Sequence, residues 1–334
     1  MRRIQQLDGV RALAILAVFL HHAFKAKLLW MGVDLFFVLS GFLITGVLMG
    51  IKHHPIGSFF RHFYARRARR ILPPYLLVLG FATVFIGAAW LHYWYLYVLL
   101  TNFILPLNIP HPVAFDPLWS LAVEEQFYLV WPFAVYFLDE RQLRRLTLLL
   151  IVIAPVLRGA VHFPTHWFVY ALTPFRMDLL AAGAFLWLEW HRNRALIVLR
   201  GPPIGALLAT LGIAGIVVLA RLQVSTFGNS RVGNIFIYES SLCICVGLML
   251  YALSGWKVGW LCLKPLTYVG QISYSMYLVH LGVLGFTQSH FGQLTAAVTA
   301  FAITIAYASI SWALMEGPLL RRDKVESLAR TSQA

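Results

Sequence analysis

The sequence predicts an all-α polytopic membrane protein of about ten transmembrane helices, and three observations carry that reading. Hydrophobic residues make up 60% of the chain and charged ones 12%, with a mean hydropathy of +0.74, well outside the soluble globular range. Apolar stretches recur at about 7–24, 30–50, 71–90, 118–138, 146–163, 173–190, 203–220, 235–254, 265–287 and 294–315, each long enough, or nearly so, to cross a hydrocarbon core. With ten spans and both termini inside, 20 of the 27 Lys and Arg fall in cytoplasmic segments and 4 in external ones. That bias is the one that orients membrane proteins.

The same distribution excludes other classes. A formal charge of +14 would suit a nucleic-acid partner, but the charges sit in short loops between apolar spans and read as topology signals. Arg2 and Arg3 lead into a long span with no small-residue cleavage site, so no cleavable signal peptide is expected. Cys243, Cys245 and Cys262 lack partners at metal-site spacing. They read as small buried residues, and no metal is expected.

The first pair of spans carries the chemistry. Leu7–Phe24 and the return arm Leu29–Thr45 are apolar, yet hold Asp8, Arg11, His21, His22 and Asp34. Ionisable groups in lipid are costly unless they face protein or water, so their default reading is functional. The bland alternatives are Arg11 snorkelling to headgroups and either histidine bonding a neighbouring carbonyl. Arg11 and His22 are eleven positions apart, which places them within roughly 20° of one helix face and ~16 Å apart along the axis. His21 points elsewhere.

The segment 61–75 (RHFYARRARRILPPY) concentrates five arginines in ten residues before the third span. A positive-inside loop needs fewer, and arginine forks recognise phosphates bidentately. The stretch 93–107 closes into Pro106, Pro110, Pro112 and Pro117 and reads as re-entrant or interfacial. Counting it as a span would put the basic 139–145 segment outside. In the next span Glu124 and Tyr128 share a face, while the adjacent Glu125 points away and is not expected in the same site. Glu239 and Arg158 are read as a structural ion pair.

These residues resemble the membrane acyltransferase-3 family, whose members O-acylate sugars, polysaccharides and some natural products. The resemblance rests first on Asp8-Gly-Val-Arg11 with His22 eleven residues after the arginine, and on Gly32-Val-Asp34 running to Ser40 and Thr45. It continues in the Arg-x-x-Arg motif before a Leu-Pro, best placed on Arg67 and Arg70, although Arg66 and Arg69 offer the same spacing. The most specific element is Trp119-Ser120-Leu-Ala-Val-Glu124-Glu-Gln-Phe-Tyr128. Looser matches are Arg176-Met-Asp178, Ser273 through His280, and Glu316-Gly-Pro318. The resemblance covers roughly 5–322. The chain is therefore read as one integral membrane acyltransferase domain, 1–322, with a short cytoplasmic tail, 323–334, and as the form without a fused hydrolase domain.

The expected function is transfer of an acyl group, most often acetyl, from a coenzyme A thioester to a carbohydrate hydroxyl. In that reading His22 is the general base, with Asp34 or Glu124 orienting or charging it. Arg67 and Arg70 hold the donor phosphates, and Arg11 steadies the donor's arm or pairs with Asp8. Ser40, Trp119, Ser120, Tyr128, Arg176, Asp178 and His280 support the site. Acyl-coenzyme A is a co-substrate, no cofactor is bound permanently, and the protein lies in the cytoplasmic membrane. The alternative class is a transporter or channel for a polar solute using the same charges as a relay. The basic motif together with Trp119–Pro132 is what transport leaves unexplained.

Overall fold

The computed structural model describes residues 4–160, 163–224 and 229–319, and within them the chain is helical, with no strand. The apolar periodicity of the first arm gives α1 (Gln5–Phe24), which stops where Lys25 turns left-handed at φ 54°; α2 (Met31–Ile51) returns from that turn. α3 (Ile56–Ile86) is longer than the predicted span 71–90, because Phe59 and Phe63 bury a helical stripe ahead of it. The basic cluster is thus the first half of a helix and not a loop.

Beyond Gly87 the chain makes 3₁₀ turns at Ala89–Val98, Thr101–Phe103 and Val113–Phe115. Residues 93–107 accordingly form no helix of membrane length. α4 (Leu118–Phe137) follows, then α5 (Glu140–Ala160). The start of α5 is a reciprocal cap. The Gln142 amide donates to Asp139 Oδ1 at 2.8 Å, and the Asp139 amide donates to Gln142 Oε1 at 2.9 Å. Residues 139–145 are therefore largely the first turns of α5.

The predicted span 173–190 is broken. After the short α6 (His166–Ala171), it consists of a 3₁₀ turn at Thr173–Phe175 and the 16-residue α7 (Met177–Arg192). α8 (Arg194–Arg221), α9 (Arg231–Ser254), α10 (Lys264–Gln288) and α11 (Gln293–Ser311) complete the order, and a π-helical turn, Trp312–Glu316, extends α11. Among the described residues, six helices are long and apolar enough to cross a membrane: α1, α2, α3, α8, α9 and α11 with its extension. The other helices are too short or too polar to qualify on those two properties, so the predicted ten rests on sequence alone. The predicted tail 323–334 lies outside the described residues.

Packing puts α1 against α2 and α10, α2 against α7, and α8 against α9. Small residues allow the two crossings that position the site. A Cβ on Gly41 would fall 1.9 Å from the Leu180 carbonyl oxygen, and one on Gly183 would fall 2.0 Å from that of Val38. At Gly270 an added Cβ would meet the Asp8 carbonyl oxygen at 1.8 Å. These contacts hold α7 close to α2 and α10 close to α1.

Candidate active site

Two chambers lie back to back among α1, α2, α3, α4 and α10. The first is a cavity of about 90 Å³, open on one side, lined by Arg11, Arg67, Arg70, Ser40, Glu124 and Tyr128, among others. The second is a cavity of about 100 Å³, also open on one side, with His21, His22 and Asp116 against an aromatic wall. Val33 and Tyr277 line both. The Tyr277 hydroxyl donates to the Pro117 carbonyl at 3.0 Å and lies 2.6 Å from Ser120 Oγ, which fixes the partition.

In the arginine chamber, helical spacing decides which side chains take part. Arg67 and Arg70, three apart on α3, line it, whereas Arg66 and Arg69 are not among its lining residues. The Arg67 guanidinium lies 4.6 Å from the centre of the Tyr128 ring. Glu124 accepts from Ser40 Oγ at 2.7 Å and from the Tyr128 hydroxyl at 3.1 Å. Glu125 lines this chamber too, contrary to the expectation from its direction on α4, because the cavity is wide enough to meet two faces of the helix. Arg11 lines the chamber and makes a looser pair with Asp8 at 3.5 Å.

The histidine chamber is ordered by backbone carbonyls. His22 Nδ1 lies 2.9 Å from the Val18 carbonyl oxygen and 3.2 Å from His280 Nε2. His280 Nδ1 lies 2.7 Å from the Tyr277 carbonyl oxygen. A carbonyl only accepts, so both rings carry hydrogen on Nδ1. His280 Nε2 then accepts from His22, and His22 Nε2 keeps a lone pair with no hydrogen-bond partner among the described residues. His21 lines the same chamber, but its Nδ1 lies 2.9 Å from the Ala26 carbonyl oxygen and it has no histidine behind it.

Asp34 is elsewhere. It bonds the Arg176 guanidinium and accepts from Ser241 Oγ at 2.7 Å, fully buried. Neither it nor Glu124 lies in the His22 chamber, so the expected grouping of His22, Asp34 and Glu124 at one depth is corrected to three separate environments. Arg176 sits behind the aromatic wall, its guanidinium 5.9 Å from the ring centres of Trp30 and Trp119 and 5.5 Å from that of Tyr170. The expected Arg158–Glu239 pair is present at 2.5 Å and is shared with Asp178 at 2.6 Å. Glu316, on the π turn, accepts from Ser275 Oγ at 2.6 Å.

A profile described as an acyltransferase domain matches residues 4–316. The chain belongs to the acyltransferase-3 family. It is similar to the O-acetyltransferase OatA of Staphylococcus aureus (strain NCTC 8325 / PS 47), with 28% identity over 96% of this chain and 58% of the relative. It is also similar to the peptidoglycan O-acetyltransferase OatA of Listeria monocytogenes serovar 1/2a, with 30% identity over 95% of this chain and 56% of the relative. The chain therefore spans rather more than half the length of these relatives. No solved structure matches it.

Within this family member, sequence reasoning left out part of the histidine chamber. Trp30, Trp167 and Tyr170 supply its wall, and Asp116 is the only carboxylate lining it among the described residues. The signal for Asp116 was present in its position, an acid at the end of a proline-rich loop three residues before Trp119.

Proposed function

We propose that this chain is an integral membrane O-acyltransferase that moves an acetyl group from coenzyme A to a hydroxyl of a cell-envelope carbohydrate. One observation carries the reading: a chamber with three arginines shares a wall with a chamber holding an imidazole whose Nε2 is free. The donor's phosphates suit Arg67, Arg70 and Arg11, since guanidinium groups bind phosphate oxygens through paired, charge-assisted hydrogen bonds. The donor's long arm would bring the thioester to the Val33–Tyr277 wall, where the Tyr277 side chain would swing aside for the carbonyl to face His22. The names of the relatives point to O-acetylation and, for one of them, to peptidoglycan as acceptor.

The chemistry follows from the tautomers. His22 Nε2 accepts the proton of the acceptor hydroxyl as its oxygen attacks the thioester carbonyl carbon. The carbon–sulfur bond then breaks, the acetyl ester remains on the acceptor, and the thiolate takes the proton back from His22. During that step His22 is an imidazolium, and its Nδ1–H points at His280 Nε2 and the Val18 carbonyl oxygen, both acceptors. His280 is thus a positioning residue that steadies the transient cation. Ser40 and Tyr128 hold Glu124 in place beside the arginines, while Asp34 acts through Arg176 on the aromatic wall. The orientation that fits has the arginine chamber open to the cytoplasm, both termini inside, and ten crossings of the cytoplasmic membrane.

The test is transfer of labelled acetyl from acetyl-coenzyme A to soluble peptidoglycan fragments by the purified chain in detergent. Ester-linked label on the glycan with release of coenzyme A is expected. Failure to bind acetyl-coenzyme A at all would overturn the reading.

A further inference from the structure

Asp116 has no task in the transfer chemistry just derived, yet it is built into the His22 chamber with care. Its Oδ1 lies 2.5 Å from His111 Nε2, and His111 Nδ1 lies 2.7 Å from the Ile109 carbonyl oxygen. Nδ1 must donate to that carbonyl. Burial opposes charge on the His111 ring, but its hydrogen bonds to Asp116 and to Ile109, with the charge of Asp116, outweigh burial and hold it above the ordinary imidazole value. One proton therefore lies between His111 Nε2 and Asp116 Oδ1, and the pair as a whole carries no net charge.

The carboxylate is held but not used up. Asp116 Oδ2 has no hydrogen-bond partner among the described residues, and the side chain is 35% exposed. Its backbone is fixed as well: the Asp116 amide donates to the Val113 carbonyl at 3.0 Å, and Pro117 begins the entry into α4. Around it stand flat apolar faces. The Trp119 and Tyr170 rings lie 4.6 Å apart, and Trp167, partly exposed, lies 5.7 Å from Tyr170.

A carboxylate beside aromatic faces suits two ligand classes, organic cations and sugars. Cations are drawn to ring faces and to negative charge, but His111 already neutralises Asp116. A neutral polyol needs what is left, an acceptor oxygen for its hydroxyls and a flat apolar surface for the C–H face of its ring.

We infer that Asp116, fixed by His111, anchors the acceptor: it accepts from hydroxyls of a sugar ring lying against the Trp167 face and so turns the hydroxyl to be acylated toward His22. This rests on the acyl-transfer reading of the same chamber. His111 is then a positioning residue that keeps the carboxylate at one angle.

The experiment uses the full chain in detergent, with muramidase-released peptidoglycan fragments as the probe and tryptophan fluorescence as the binding signal. Acetyl-coenzyme A binding is measured in parallel. Asp116→Asn keeps the shape and is expected to weaken fragment binding about tenfold to a hundredfold, the worth of a charge-assisted hydrogen bond, with donor binding unchanged. His111→Gln leaves the carboxylate in place but loose, and a smaller loss of the same kind is expected. In turnover the acceptor KM rises in both variants, and any fall in kcat from the less well oriented hydroxyl is the smaller effect. Unchanged fragment binding in both would overturn the inference, and so would a fall in kcat at constant acceptor KM, which would place Asp116 on His22. A wild-type chain that binds acetyl-coenzyme A but no fragment would overturn it and leave the donor chamber standing. One that binds neither would remove the transfer reading on which it rests.

Discussion

Replacing Asp34 with Asn removes a negative charge from the centre of the bundle and leaves Arg176 behind. Asp34 is the one carboxylate in an ion pair with Arg176 among the described residues, and both side chains are fully buried. Arg176 Nε and Nη1 have no hydrogen-bond partner among the described residues, and the guanidinium is otherwise ringed by aromatic faces, that of Tyr238 at 4.6 Å. Breaking a buried pair from one side costs about 3–5 kcal/mol, because a charge is left uncompensated in a poorly polarisable setting. Against a typical stability of about 5–15 kcal/mol, that is a large part of the margin. Asp34→Asn should therefore lower the melting temperature in detergent and reduce the amount of folded protein in membranes. Removing both charges, as in Asp34→Asn with Arg176→Met, should recover much of the loss, since no unpaired charge then stays buried. The double-mutant cycle reads the coupling directly. An Asp34→Asn chain as stable as wild type but unable to transfer acetyl would refute this reasoning and return Asp34 to the chemistry.

Further outcomes follow from the two chambers. Arg67→Ala and Arg70→Ala should each weaken acetyl-coenzyme A binding about tenfold to a hundredfold, while Arg66→Ala stays near wild type; equilibrium binding to the purified chain decides. Tyr277→Ala should open the partition, so that water replaces the acceptor and acetyl-coenzyme A is hydrolysed without glycan present, whereas Tyr277→Phe, which keeps the ring but loses the hydroxyl contacts to Pro117 and Ser120, should leak less in that assay. Single cysteines placed in a background lacking Cys243, Cys245 and Cys262 should label from the cytoplasm at 52–55 and 191–193, and from outside at 26–29 and 222–224. An outside label at 139–141 would contradict the ten-span topology.

Much of the fold was legible because helices announce themselves by length and periodicity. α2 and α4 lie within a residue or so of their predicted bounds, since apolar runs and flanking turns mark both ends. The extent of α3 was not legible: its first half is basic, and only the packing of Phe59 and Phe63 shows why it is helical. The break before α7 was also hidden, because an apolar run reads the same whether or not a 3₁₀ turn interrupts it. Depth along a helix could be read from spacing, but not the direction in which each helix faces its neighbours. That is why Asp34 was grouped with His22 when its partner is Arg176, and why Arg11 and His22, on one stripe of α1, open into different chambers. The choice between Arg67 with Arg70 and Arg66 with Arg69 likewise needed the rotation of α3 against the bundle.

The central claim, a general base at His22, is tested most directly by two neighbouring substitutions. Both histidines line one chamber, but only His22 has His280 behind its Nδ1. The measurement is acetyl transfer to peptidoglycan fragments by His22→Ala and His21→Ala, at matched protein levels and with acetyl-coenzyme A binding measured alongside. Loss of a general base costs about 10²–10⁴ in rate, so His22→Ala should fall by that factor with donor binding intact, and His21→Ala should retain most activity. Full transfer by His22→Ala would contradict the account.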